Sequence, residues 1–356
     1  MSGTRLIATV LFAALAVAAA PAAAELRIRI TDPNFEPVPV AVSEFGAARE
    51  ADRAQGQRIV EVITNNLRSS GVFKPLNPSS FIQKPDDLVR APRMADWKQV
   101  GADVVLGGRV SSAGGGVKVE LWAWEVGTGA TLVARAFETS AANWRRLAHK
   151  ISDRVFERVT GESGYFDTRI VYVAETGPVT RRVKRLAIMD QDGANNRYLS
   201  EGSTLVLTPR FSPTAQEITY LSYTNNAPRV YILSIDSGRR EVVGDFPGMT
   251  FAPRFSNDGN KIALSLETDG NSEIYAMDLR TRQVTRLTNN PAIDTSPSYS
   301  PDGRKIAFNS DRGGAQKIYV MNADGSDVVR ISNKPGRYAT PVWSPRGDLI
   351  AFTRQS

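Results

Sequence analysis

The chain has 356 residues, of which 42% are apolar, so it is long enough for about two domains with real hydrophobic cores. Its formal net charge is +7, but charges of both signs are interspersed, so we predict no nucleic-acid partner and no polybasic membrane arm. Cysteine is absent and His149 is the single histidine, which excludes disulfides, thiolate metal sites, cysteine nucleophiles and multi-histidine metal centres. We predict neither a cofactor nor a metal.

Residues 1–24 have the three parts of a secretory signal peptide. Arg5 supplies the positive charge, residues 6–20 are apolar apart from Thr9, and Ala22 and Ala24 occupy the −3 and −1 positions of a cleavage site before Glu25. The apolar stretch is shorter than the roughly 20 residues of a membrane-spanning helix, which favours cleavage over an uncleaved anchor. We therefore predict an exported protein, and the lack of cysteine fits the periplasm of a Gram-negative bacterium.

The start of the mature chain has the alternating pattern of a β-strand. Three apolar residues alternate with polar ones, and Asp32-Pro33 ends the strand; the segment comprises Glu25, Leu26, Arg27, Ile28, Arg29, Ile30, Thr31 and Asp32. Such a tethered strand can pair with its own domain or add to the sheet edge of a partner. The residues alone leave both alternatives open.

Residues 25–165 are predicted to form a separate α/β domain. We expect strands over residues 38–42 and 104–108, and a hairpin of residues 117–124 and 131–137 joined by Gly127-Thr128-Gly129. Two amphipathic helices are expected, one from Ala47 to Ser69 and ended by Gly71, the other from Asn143 to Val159, capped by Asn143 and stopped by Gly161. The linker to the next domain is expected over residues 161–167.

The rest of the chain, residues 166–356, repeats every 44 residues. The motif Pro-x-aromatic-Ser begins at Pro209, Pro253, Pro297 and Pro341, and an isoleucine follows nine residues after each proline. A third marker, an aliphatic residue or Met before a small polar residue, keeps the same interval, as at Met277-Asp278 and Met321-Asn322. A period of 40–45 residues with several short strands per unit is typical of β-propeller blades. The predicted fold class is thus an α/β N-terminal domain followed by an all-β propeller.

One unit shows the predicted blade. Its four strands are expected over residues 295–300, 305–310, 317–321 and 328–332, with a tight turn at Pro301-Asp302-Gly303. The first repeat lacks a first strand, because residues 169–174 have the pattern of a second strand. The sequence stops after a second strand, so we count four first strands and five second strands and expect a propeller with an incomplete C-terminal end.

The loops that enter the innermost strands are predicted to surround the mouth of the propeller. They span residues 203–208, 247–252, 291–296 and 336–340, and they are poor in charge. A surface of this composition favours a protein partner over a phosphorylated ligand, although the same residues could simply pack the mouth. The candidate binding residues are Leu205, Thr208, Met249, Thr250, Phe251, Ala252, Asp294, Thr295, Ser296, Tyr338 and Thr340.

No catalytic motif was found in the sequence. The acidic turns at residues 190–193 and 322–327 lack the ligand spacing of an EF-hand and fit hairpin turns better. Gly114-Gly115-Gly116 lacks the Lys-Ser/Thr of a phosphate loop, and no G-x-S-x-G elbow occurs. His149 lies in an amphipathic helix, where a structural role is expected. We therefore predict no catalytic residue.

Two segments and the repeats together resemble the TolB family. The resemblance rests on the mature start Glu25-Leu26-Arg27-Ile28-Arg29-Ile30-Thr31, the segment Ser163-Gly164-Tyr165-Phe166-Asp167-Thr168-Arg169-Ile170, and the repeat Ser300-Pro301-Asp302-Gly303-Arg304-Lys305-Ile306. The resemblance covers essentially the whole chain. It implies a six-bladed propeller, of which about four to five blades are represented in this sequence.

The resemblance also implies a function and partners. Members of the family are non-enzymatic periplasmic scaffolds of the Tol-Pal system, which support outer-membrane integrity and envelope constriction at cell division. It implies that the lipoprotein Pal binds the propeller mouth and TolA binds Glu25–Asp32, and it leaves room for other envelope proteins. Membrane association would then occur only through protein partners. Met249 stands where family members can place a histidine. The alternative is a secreted propeller enzyme, a hydrolase or lyase with its site in the central channel.

Overall fold

The computed structural model describes residues 35–224, 227–244, 246 and 250–355. The predicted signal peptide, the predicted partner strand Glu25–Asp32 and Met249 lie outside the described residues. The chain divides into two compact units, one ending at Asp167 and the other beginning at Thr168, which is two residues after the predicted boundary. None of the helices within the described ranges is long and apolar enough to cross a membrane.

The first unit is built on a mixed five-stranded sheet in the order β2-β1-β3-β4-β5. Its strands are β1 Val38–Gly46, β2 Phe73–Pro75, β3 Val104–Ala113, β4 Gly116–Glu125 and β5 Thr131–Ser140. Strand β1 pairs in parallel with β2 and β3, whereas β3, β4 and β5 form an antiparallel meander. The predicted strands and hairpin are confirmed, with longer strands than the sequence indicated.

Helices cover both faces of this sheet. They are α1 Glu50–Ser69, α2 Pro85–Arg90, α3 Met94–Gln99 and α4 Trp144–Thr160. Because side chains alternate along β1, Val40 and Val42 belong to the core beneath α1 and α4, whereas Ala41 belongs to the core beneath α2 and α3. Leu88 and Trp97, from the two short helices that the sequence analysis did not predict, fill that second core.

The C-terminal end of α4 agrees with the prediction, whereas its N-terminal cap does not. Gly161 ends the helix in the left-handed conformation (φ +76°), as predicted. Asn143 precedes the helix, but its side chain makes no capping hydrogen bond. Its Nδ2 instead donates to Ser140 Oγ at 3.0 Å, so the predicted cap is wrong.

The second unit consists of consecutive antiparallel sheets. Its strands are β6 Arg169–Thr176, β7 Val183–Asp190, β8 Arg197–Tyr198, β9 Val206–Phe211, β10 Glu217–Thr224, β11 Ala227–Ser234, β12 Arg240–Gly244, β13 Thr250–Phe255, β14 Lys261–Thr268, β15 Asn271–Asp278, β16 Val284–Arg286, β17 Asp294–Tyr299, β18 Lys305–Ser310, β19 Lys317–Asn322, β20 Val329–Arg330, β21 Arg337–Trp343 and β22 Ile350–Gln355. Three sheets have four strands each, running from β9 to β12, from β13 to β16 and from β17 to β20.

The two remaining sheets are the ones that the repeat analysis marked as unusual. The sheet β6-β7-β8 has no first strand, and β21-β22 contains a first and a second strand. In the described residues the sheets do not close into a ring. This confirms the predicted α/β region followed by a propeller, with four first strands and five second strands.

Apolar residues pack between neighbouring sheets, as the propeller pattern requires. Leu221 and Val230 of one sheet share a core with Ile262, Leu264 and Met277 of the next. The sheets β9–β12 and β13–β16 share cores with a neighbour on each side and are thus buried on both faces, which explains the weak alternation of their central strands. First strands of successive sheets contact one another, so their N-terminal ends lie on the same side of the successive sheets.

Candidate functional site: the propeller mouth

The mouth is built from equivalent positions of the first strands β9, β13, β17 and β21. Four residues before each motif proline, Leu205 is 41% exposed and Ile293 is 43% exposed. Met249 occupies the same position in the repeat between them and lies outside the described residues, and Arg337 at the fourth position is exposed. The sequence analysis missed Ile293, although the 44-residue register with Leu205 marks it.

The next position along β9, β17 and β21 is buried. Val206, Asp294 and Tyr338 occupy it and are at most 3% exposed. Asp294 and Tyr338 were predicted to contact a partner, but the structure places both below the surface. The alternation of a strand explains this, because the exposed residue before them forces the next side chain inward. They support the mouth and do not face a partner in this conformation.

Asp294 and Tyr338 each interact with a cation. Asp294 Oδ2 accepts a hydrogen bond from Arg312 Nη2 at 2.6 Å, although burial still raises the pKa of this carboxyl group. The ring of Tyr338 lies 4.8 Å from Lys317 Nζ, within the range of a cation–π interaction. These buried contacts fix Asp294 and Tyr338 at the starts of β17 and β21.

Three of the residues that directly precede a motif proline have a left-handed backbone. The φ angles are +47° at Thr208, +58° at Ser296 and +52° at Thr340. Residues with a Cβ adopt this region rarely, and such strain persists only where the surroundings enforce it. Each of these strands also shows a break in register with its neighbour close to this position. These register breaks are β-bulges, and they interrupt regular strand pairing close to the mouth.

Side chains of the preceding sheet hold two of these strained residues. Ser296 N donates to Ser265 Oγ at 3.1 Å, and Thr340 N donates to Asn309 Oδ1 at 3.3 Å. Asn309 Nδ2 also donates to Thr295 Oγ1 at 2.7 Å. Because Ser265 and Asn309 are 44 residues apart, the same kind of hydrogen bond, from a backbone N–H near the strand start to a side chain of the preceding sheet, recurs in successive repeats.

Among the other predicted mouth residues, Thr208 and Thr340 are exposed, while Phe251, Thr295 and Ser296 are half-buried. Strand β13 begins at Thr250 and includes Ala252, so both lie at the mouth end of their strand. The structure therefore brings the described part of the predicted set together, apart from the two buried residues.

Two charged residues of the third strands tether the mouth loops. Glu273 Oε1 accepts from Asn290 N at 2.7 Å, in the loop before β17. Lys317, at the same position one repeat later, donates from Nζ to Lys334 O at 2.7 Å and to Gly336 O at 3.0 Å, in the loop before β21. Sequence reasoning missed both, because opposite charges at one repeat position give no shared motif.

The geometry of the mouth suits binding better than catalysis. Exposed Ile293 lies on a loop that is fixed by the hydrogen bond from Asn290 N to buried Glu273, which reduces the entropy lost when a partner docks. Asp294 is engaged by Arg312, and His149 lies in α4 of the first unit. That histidine is buried, and its Nδ1 is 2.9 Å from Asn66 Nδ2. A structural role for His149 agrees with these contacts.

Comparisons with known proteins agree with this fold. The family model described as "TolB beta propeller domain" matches residues 156–356, and that described as "TolB amino-terminal domain" matches residues 26–132. The crystal structure of TolB from Acinetobacter baumannii superposes with a TM-score of 0.80 at 29% identity, covering 89% of this chain and 77% of that one.

Two curated relatives are also similar, and both are named "Tol-Pal system protein TolB". The protein of Paramagnetospirillum magneticum is 56% identical over 228 residues, which cover 64% of this chain and 51% of the relative. The protein of Pelagibacter ubique is 53% identical over 215 residues, covering 58% and 48%. The chain spans about half the length of the curated relatives it matches. Since the propeller family matches more than half of the chain and the amino-terminal family precedes it, this chain belongs to the TolB family.

Proposed function

We propose that the chain is a non-enzymatic docking scaffold of the Tol-Pal system in the periplasm, and that its propeller mouth binds the lipoprotein Pal. The observation that carries this proposal is the pair of exposed aliphatic residues, Leu205 and Ile293, at equivalent positions in the repeat, with the loop of Ile293 tethered through Glu273. The names of the curated relatives support the assignment to this system.

The physical properties of the mouth favour a protein partner. Exposed apolar side chains surrounded by hydroxyl groups resemble the core and rim of a protein interface. Apolar side chains gain free energy when they leave water, and a preformed surface loses little conformational entropy on binding. Supporting positions such as Asp294 stay buried and keep the surface in shape.

Charge placed on the mouth tests the proposal. Leu205→Glu and Ile293→Glu should each weaken Pal binding at least about tenfold, because a carboxylate buried in an apolar interface without a partner costs several kcal/mol. Isothermal titration calorimetry measures the affinity. Val329→Glu is the matched control, because Val329 is 58% exposed on the outermost strand β20. Wild-type affinity in both mouth variants would contradict the proposed surface.

We further propose that the segment Glu25–Asp32 binds TolA by adding a strand to a sheet of that partner. The support is the alternation of Leu26, Ile28 and Ile30 with polar residues, together with membership of the TolB family. Through these two contacts the protein would link envelope components during constriction and help to keep the outer membrane intact.

Deletion of Glu25–Asp32 tests the second contact. The deletion should abolish TolA binding in calorimetry, whereas Pal binding should persist or change modestly through coupling between the two sites. Ile28→Asn with Ile30→Asn should have the same effect without shortening the chain. If the deleted protein binds TolA with unchanged affinity, the strand serves only its own domain.

A further inference from the structure

A cavity of ≈ 310 Å³ lies at the opposite ends of the innermost strands from the mouth loops. Its walls include Arg210, Arg254, Ser298 and Trp343, from four successive first strands. We call it the inner cavity. No aspartate or glutamate is among the described residues that line it. The inner cavity therefore concentrates positive charge without a lining carboxylate to balance it.

Arg210 and Arg254 occupy the same repeat position in neighbouring strands. Burial lowers the pKa of Arg210, and burial together with the positive charge of Arg210 lowers the pKa of Arg254 to about 10. Both guanidinium groups stay charged at neutral pH. Arg210 Nη1 donates to Pro209 O at 2.9 Å, but its buried Nε has no hydrogen-bond partner among the described residues. Two like charges in one cavity are unfavourable unless an anion joins them.

Neutral donors line the same cavity. Trp343 Nε1 is buried and has no hydrogen-bond partner in the described part of the chain. Ser298 Oγ accepts a hydrogen bond from Trp343 N at 3.3 Å, which leaves its hydroxyl hydrogen available for donation. Buried donors normally find an acceptor, and an anion in the inner cavity would supply one to both of these groups.

We propose that the inner cavity binds an oxyanion, the carboxylate or phosphate group of a small diffusible molecule. The guanidinium groups of Arg210 and Arg254 supply the charge, and the planar fork of arginine matches either group with two parallel hydrogen bonds. The indole N–H of Trp343 and the hydroxyl of Ser298 complete the set of donors. The cavity volume is at the lower end of the range for small-molecule sites.

Thermal unfolding of the full chain tests this site. Inorganic phosphate or succinate should raise Tm in a saturable manner beyond the effect of sodium chloride at equal ionic strength, because a ligand of the native state stabilises it. A shift with phosphate alone assigns a phosphate group, and one with succinate alone assigns a carboxylate. A shift with both supports a general oxyanion site. No shift with either would overturn the proposal.

Variants distinguish the site from general salt effects. Arg254→Met should weaken anion affinity at least about tenfold, the effect of 1.4 kcal/mol. Without anions it should keep or raise Tm, because it removes one of two like charges. Arg304→Met is the matched control at an exposed position and should keep the wild-type response.

If Arg254→Met does not fold, Trp343→Phe removes the indole N–H and should weaken the anion affinity severalfold. Wild-type anion affinity in the folded variants would overturn the proposal.

Discussion

Asp52 illustrates how a single carboxylate ties the first unit together. It lies in the first turn of α1, where the helix dipole favours negative charge. Asp52 Oδ2 accepts from Arg49 Nε at 2.7 Å, and Oδ1 accepts from Ser112 Oγ of β3 at 2.5 Å. The hydrogen bonds from Arg49 and then Ser112 lower the pKa of Asp52 from 3.8 to about 2. The ionised carboxylate thus joins the helix to the sheet.

We predict that Asp52→Asn makes stability less dependent on pH in acid. A carboxyl group whose pKa is lower in the folded state stabilises the fold above its ordinary pKa, and this contribution is lost as pH falls from about 4 to about 2. The variant should be less stable than wild type at pH 7, and the difference should shrink across that window. Urea unfolding at several pH values measures it. Glu50→Gln, at an exposed position of the same turn, is the control. A difference that stays constant down to pH 2 would contradict the argument.

At the scale of the element, Lys317 of β19 controls the loop that leads into β21. Its ammonium group is nearly buried and donates to two carbonyl groups of that loop. Tyr338 N, at the end of the loop, donates to Gln316 O at 2.9 Å. The loop is therefore held by a charged group at its middle and by a backbone hydrogen bond at its end.

Lys317→Met should loosen this loop while the sheets stay folded. Hydrogen bonds to charged groups contribute about 1.5–3 kcal/mol, so the amide of Tyr338 should exchange about tenfold faster or more. Hydrogen–deuterium exchange measures this rate. Lys305→Met, on the neighbouring strand β18 with an exposed side chain, should leave it unchanged. Equal exchange in both variants would mean that the backbone alone holds the loop.

The repeat units were predictable from the sequence because three markers share one 44-residue register. The short helices α2 and α3 were not, because six residues hold too few apolar positions to show a helical period. The mouth stays a prediction as a binding surface, and the structure places its described residues at the starts of the first strands. Its buried members, Asp294 and Tyr338, were misassigned because a loop composition does not show which side chains point inward. The side chains of Glu273 and Lys317 bind backbone atoms of the loops, and a backbone partner leaves no trace in the sequence.

At the scale of the molecule, the first unit has a self-contained core that extends to its last residues. Phe166 is fully buried, and its ring lies 5.8 Å from that of Phe156. Asp153 of α4 accepts hydrogen bonds from Phe166 N at 2.6 Å and from Asp167 N at 3.1 Å. The segment predicted as a linker over residues 161–167 is therefore packed against α4 by both side chain and backbone. Among the residues that the structure describes, neither apolar core of this unit includes a residue beyond Phe166.

A fragment of residues 25–167 should consequently fold alone and unfold cooperatively in urea. Within it, Phe166→Ala should lower the free energy of unfolding by about 3–5 kcal/mol, because a large buried ring leaves a cavity when it is removed. Tyr165→Ala is the matched control: Tyr165 is 42% exposed and loses less buried surface, so its effect should be clearly smaller. Circular dichroism during the urea titration measures both. A fragment without a cooperative transition, or equal losses in the two variants, would mean that the residues after α4 do not belong to the core of this unit.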